Sequence, residues 1–171
     1  NLKANFGYFL KEQKNKIVNK NFFQVDYVEG FAMLLNLKKI KFNNFFDKKI
    51  FLFLEEIDLC KRIKDSGGKI YIINNAKIYH SAKKGSGEDL EIDLCRNWHW
   101  MWSLFYYNAK HFGLFKAYCV TLNKLISSLF RFILAALFFN SKKRKINFYR
   151  ILGLINAYQG NSSWLRPYLK K

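Results

Sequence analysis

The stretch FNNFFDKKIFLFLEEIDLCKRIKDSGGKIYIINNAKIYH, Phe42 to His80, decides how the rest of the chain is read. Its centre, Glu55 to Asp65, opens on three acids and predicts a helix, because carboxylates near a helix start meet exposed N–H groups and the positive end of the dipole. The SGG that follows offers Gly67 or Gly68 for the positive φ of a helix stop. KIYIIN (Lys69 to Asn74) and the short AKIYH (Ala76 to His80) read as strands, as does GFAMLLNL (Gly30 to Leu37) upstream. The resulting order is strand, helix, strand, strand, the texture of an α/β or α+β unit.

Beyond this stretch the pattern changes. From Asp89 the sequence is helical: a long aromatic segment to Gly113, a second helix to about Asn140, and a last one from about Ile146 to Tyr158. The loop AKKGSGED, Ala82 to Asp89, is the glycine-bearing connection between the two textures. The expected organisation is therefore residues 1–84 as one portion and residues 85–171 as a helical, aromatic and basic extension. The GSG at Gly85 to Gly87 is half of a phosphate loop and suits a hinge or lid.

Within the first portion the carboxylates carry the chemistry. Glu56 and Asp58 lie about 200° apart around a helix, whereas Glu55 and Asp58 share a face. One acid can then enter a pocket while another fixes the helix or a neighbouring loop. A carboxylate beside an aromatic-walled cleft can have its pKa raised toward working pH and act as a general base, although helix capping also accounts for acids here. His80 ends the strand AKIYH, where a side chain leaves a sheet edge. A histidine alone at such a place is more often structural than a ligand.

In order, these elements are VDYVEGFAMLL (Val25 to Leu35), NNFFDKKIFLFLEEIDLCKRI (Asn43 to Ile63), DSGGKIYIINNAKIYH (Asp65 to His80) and GSG. Together they resemble the family 2 glycosyltransferases of the rhamnosyltransferase-like kind. RNWHWMWSLFYYNAKHFG (Arg96 to Gly113) and ILGLINAYQGN (Ile151 to Asn161) resemble that family's C-terminal helices. The resemblance implies an α/β fold, the C-terminal part of a GT-A domain followed by helices. It also implies inverting transfer of a sugar from a nucleotide-diphospho-sugar to a saccharide or polyprenyl-linked acceptor hydroxyl, in cell-surface polysaccharide synthesis.

Residue by residue, the resemblance makes Glu56 the catalytic base and places Asp26, Glu29 and Gly30 on the acceptor side beside Glu55. Asp58 and Arg62 would brace the catalytic helix, Arg62 toward phosphate. His80 would help hold a divalent cation, Mg²⁺ or Mn²⁺, against the departing diphosphate. Two features depart from the family. Glu56 stands where aspartate is usual, one methylene longer, and no D-x-D metal motif occurs in the chain. The expectation is thus the acceptor and catalytic-base portion of a longer transferase, or a truncated remnant, inactive without a donor-binding half.

Composition bounds the remaining possibilities. Half of the 171 residues are hydrophobic and 19% are aromatic, which excludes a wholly disordered chain, and a single proline excludes a proline-rich linker. Thirty Lys plus Arg against twelve Asp plus Glu give a net charge of +18, which points to an anionic partner unless base composition alone drives it. Cys60, Cys95 and Cys119 lack metal spacing and suit a reducing, cytoplasmic setting.

The aromatics Trp98, Trp100, Trp102, Phe105, Tyr106 and Tyr107 fit either a core or a membrane surface. Lys142, Lys143, Arg144 and Lys145 follow an apolar helix as a polybasic patch, so peripheral attachment to the inner face of the cell membrane is expected. The apolar stretch Leu114 to Phe139 is broken by Lys116, Asn123, Lys124 and Arg131 and reads as interfacial or core rather than spanning. His99 and His111 read as structural. A nucleic-acid-binding module and a membrane-surface protein without catalysis are the competing classes. The first is disfavoured because the lysines are spread over both halves and no recognition motif appears.

Overall fold

The computed structural model describes residues 16–19, 21–40, 42–79 and 89–167. The chain divides into two compact units, Asn1–Asp47 with Glu55–His80 and Lys48–Leu54 with Ser81–Lys171. The first holds strands β1 (Lys16–Asn19), β2 (Phe22–Val25) and β3 (Ile70–Ile73) with helix α1 (Glu55–Asp65). The second holds helices α2 (Leu90–Phe112), α3 (Leu114–Leu137) and α4 (Ser141–Tyr158).

The three strands form one sheet in the order β1-β2-β3, antiparallel throughout. Phe22 faces Ile73 and Val25 faces Ile70, so β3 pairs along the whole of β2. An antiparallel sheet beside helices is an α+β arrangement, and the described residues are mainly helical, which corrects the α/β expectation to the looser statement that helices and a sheet coexist.

Two expected strands are absent among the described residues. Gly30–Leu37 and the described part of Ala76–His80 form no ladder, and Leu34 is 96% exposed. An apolar run becomes a strand only where a neighbour takes up its N–H and C=O groups, and among the described residues neither segment has a ladder partner. The hairpin β1–β2, by contrast, was not indicated by periodicity.

Helix α1 occupies the residues its charge pattern indicates, and its stop is glycine's doing. Gly67 sits at φ 84° and donates its N–H to Lys64 O at 2.9 Å, while Gly68 N–H reaches Ile63 O at 2.8 Å. This pair of bonds closes the orphan carbonyls of the last turn.

In the second unit α2 is the central helix. Asp89 caps it, accepting from Glu91 N–H at 3.0 Å, and Trp98, Trp100, Trp102, Leu104, Phe105 and Tyr107 are all buried. Residues 98–105, more than two turns, are buried without a break, so this stretch of α2 is covered on every side. Trp98, Trp100 and Trp102 are therefore core, not membrane anchors. Helices α3 and α4 pack on α2, and the segment Lys48–Leu54 belongs to the same unit, with Phe51 against His99 at 4.9 Å and Phe53 edge-on to Trp100 at 5.5 Å.

The residues after α4 strap this packing down. Leu165 O accepts from His99 Nε2 at 2.7 Å, Ser163 Oγ donates to Lys49 O at 2.6 Å, and the Arg166 guanidinium lies 3.7 Å over the Phe51 ring. Burial pushes the His99 pKa down, which favours the neutral ring, and the Leu165 carbonyl accepts from its Nε2. His99 is thus a structural residue of the strap.

The joint between α2 and α3 is one residue. Gly113 adopts φ 86° and ψ 162°, a region essentially closed to L side chains. Gly113→Ala is expected to lower stability by about 2 kcal/mol, read from the denaturant midpoint; an unchanged midpoint would mean that the joint tolerates a side chain.

Candidate active site

The acids are gathered by the way residues 26–30 lie along α1. Lys64 Nζ forms an ion pair with Asp26, the Val28 backbone is hydrogen-bonded with Cys60, and Gly30 approaches the Glu56 side chain. Alternate residues of an extended segment advance about 6.6 Å, and residues four apart on a helix about 6.0 Å, so positions 26, 28 and 30 meet 64, 60 and 56 in step. A Cβ on Gly30 would lie 3.4 Å from Glu56 Cβ. The Glu56 stem therefore rests beside the backbone at Gly30, at a distance where a Cβ would make ordinary contact.

A second set of contacts fixes the helix from the side. Asp58 is fully buried and accepts from Arg62 Nε at 2.8 Å. The same guanidinium donates to the carbonyls of Asn44, at 2.8 Å, and Phe45, and stacks 4.6 Å from the Phe42 ring centre. Arg62 is thereby held inside the unit, facing its own chain and not a phosphate. Arg62→Lys keeps the charge but loses the planar fork, and is expected to cost about 2 kcal/mol in urea unfolding. Wild-type stability in that variant would show that the aromatic loop does not depend on the guanidinium.

The remaining carboxylates stand apart electrostatically. Asp26, Asp58 and Asp65 are paired with Lys64, Arg62 and Lys61 respectively. Glu55 and Glu56 have no ion pair among the described residues, and Glu55 Oε2 is buried with no hydrogen-bond partner there. Glu29, Asp89, Glu91 and Asp93 likewise have no ion pair there, so it is burial that sets Glu55 and Glu56 apart.

Its consequence is a shifted titration. Burial raises the Glu56 pKa to about 7, opposed by a hydrogen bond from its own backbone N–H and reinforced by the charges of Glu55 and Glu29. Glu55 is also raised by burial. A helix N-terminus ordinarily lowers carboxyl pKa values, so burial overrides the dipole here. Tyr27, buried beside these groups, has its phenol pushed up by burial, then by Glu29, Asp26 and Glu56. Sequence reasoning missed Tyr27; the signal was a tyrosine set between two acids in DYVEG.

The sequence-derived residues thus separate into groups. Gly30 and Glu56 come together with Tyr27, and Glu55 and the exposed Glu29 are close enough to raise the Glu56 pKa. Asp26, Asp58 and Arg62 are engaged in internal pairs. His80 and the GSG at 85–87 lie outside the described residues. Among the described residues no group of three or more His, Cys, Asp or Glu is placed to hold a metal ion, and two of the aspartates are already neutralised by cations.

The two residues preceding Glu55 are unusual. Phe53 and Leu54 both have φ 68°, the left-handed region that costs a non-glycine residue roughly 1–3 kcal/mol. Within the second unit Phe53 is held on Trp100, and Leu52 O accepts from Ser103 Oγ at 2.8 Å. No protein-family model, curated protein or solved structure matches the chain.

Proposed function

We propose that the first unit is the acceptor side of an inverting glycosyltransferase of the GT-A kind, with Glu56 as general base. The observation that carries this reading is the Glu55–Glu56 pair: two carboxylates without a cation partner among the described residues, one with a pKa of about 7, in a strongly basic chain. A base with that pKa is half ionised at neutral pH, close to the optimum for taking a proton and surviving the transfer.

The chemistry follows from that role. Glu56 accepts the proton of an acceptor hydroxyl as the oxygen attacks the anomeric carbon of a nucleotide-diphospho-sugar. The new C–O bond forms on the face opposite the diphosphate, the old one breaks, and its electron pair leaves with the nucleoside diphosphate. Burial, and then the charges of Glu55 and Glu29, hold the Glu56 proton affinity up, and Gly30 lies against the Glu56 stem. The divalent cation expected against the departing diphosphate would be met by His80, which lies outside the described residues.

The test uses the native gene product that contains this chain. Incubation with nucleotide-diphospho-sugars and saccharide or polyprenyl-linked acceptors should release nucleoside diphosphate only when a matched acceptor is present. Absence of acceptor-dependent release across all donors would overturn the reading.

A further inference from the structure

Helix α3 is turned inside out relative to an ordinary core helix. Its buried face is built from small residues, Ala117, Thr121, Ser128 and Ala135. Its large apolar residues face outward: Phe115, Leu122, Ile126, Phe130, Ile133 and Leu137 are all exposed, Phe115 by 84%. At 100° per residue these six fall within about 80° of arc and run about 33 Å along the helix. The stripe ends at Phe138 and Phe139, the latter 91% exposed.

A cationic collar follows at once. Lys142, Lys143, Arg144 and Lys145 form the exposed first turn of α4, which contains no acid. Four cations at a helix N-terminus oppose the dipole, a local cost that an anionic surface would offset. A second copy of this chain is a poor occupant, because it would set four cations and a net +18 against the same charge. Nucleic acid satisfies the collar but leaves the stripe uncovered.

By length and composition α3 could cross a bilayer. Its packing argues for another placement. It lies against α2 and α4, whose Glu91, Asp93, Arg96, Lys110 and Arg150 would be carried into hydrocarbon with it.

We infer that this face docks on an anionic bilayer: α3 lies in the plane of the interface, with the stripe from Phe115 to Leu137 at the acyl boundary and Lys142–Lys145 on the headgroups. The assignment stands independently of the role given to Glu56.

Flotation of the full 171-residue chain with vesicles tests it. Vesicles of phosphatidylcholine with about one third phosphatidylglycerol should carry the protein, neutral phosphatidylcholine vesicles much less, and added salt should weaken the binding. Lys142→Glu with Lys143→Glu, on exposed positions that leave the core intact, should reduce affinity at least about tenfold. Phe130→Ser with Ile133→Ser should reduce it comparably while the far-UV circular dichroism stays unchanged. No binding to anionic vesicles, binding indifferent to both double variants, or a stripe-dependent dimer that persists when vesicles are added would each overturn the assignment.

Discussion

Replacing Glu56 by glutamine is expected to lower sugar transfer by about a thousandfold, the usual contribution of a positioned general base, while leaving donor binding nearly unchanged. The amide keeps the shape against Gly30 and cannot accept the acceptor's proton. In the wild type the rate should rise with pH and level off above about 7, because the base must be ionised to act. Glu55→Gln removes one of the neighbouring charges that raise Glu56, so the same profile should shift to lower pH.

The same substitution should act oppositely on stability. The native state binds the Glu56 proton more tightly than the unfolded chain does. Its favourable contribution is therefore full below the ordinary carboxyl pKa and is lost as pH climbs to about 7. At pH above that value Glu56→Gln is expected to stabilise the fold by about 1–2 kcal/mol, an amount already reduced for partial solvent screening. Thermal unfolding at acid and alkaline pH, run beside the transfer assay, separates the two roles. A variant that transfers at the wild-type rate removes Glu56 from the chemistry, whatever its stability does.

Gly153→Val is expected to be the most damaging single change in the helical unit. A Cβ at this position would lie 2.3 Å from Trp98 O, with Trp98 C and Cα at 3.1 and 3.2 Å. These are backbone atoms of α2 and cannot swing aside as a side-chain tip can, so α4 must back away from the buried surface it covers. The cost is about 3 kcal/mol, or about 10 °C in Tm for a chain of this size. Circular dichroism during heating measures it. Gly153→Ala gives the finer reading, since helix propensity alone would raise stability by roughly 1 kcal/mol. A melting temperature at or above the wild type in that variant would mean that the helices do not approach so closely.

How far the sequence could be read differs from element to element. Helix α1 and its glycine stop were legible because acids in a first turn and a glycine beyond the last are local signals, satisfied within a few residues. The long helical periodicity of α2, α3 and α4 was legible for the same reason, although α4 begins at Ser141, earlier than Ile146 suggested. The strand at Gly30–Leu37 was misread because ladder pairing depends on a neighbour that sequence spacing does not supply. The acid cluster was visible as Glu55, Glu56 and Asp58. Their different fates were not, since which carboxylate finds a lysine or arginine depends on residues up to 38 positions away, as with Asp26 and Lys64.

The aromatic and apolar helices show the same division. Tryptophans at helical spacing suit a core or a membrane face equally, and only packing of α2 by its neighbours placed them inside, while the plainer residues of α3 were left facing out. By itself the sequence determined the helices, their stops, the charge of the chain and the presence of an acid cluster, all properties of short stretches. The tertiary structure alone decided which acids are neutralised, which apolar residues are covered and where Glu56 titrates, because burial and pairing arise between segments that the sequence keeps far apart.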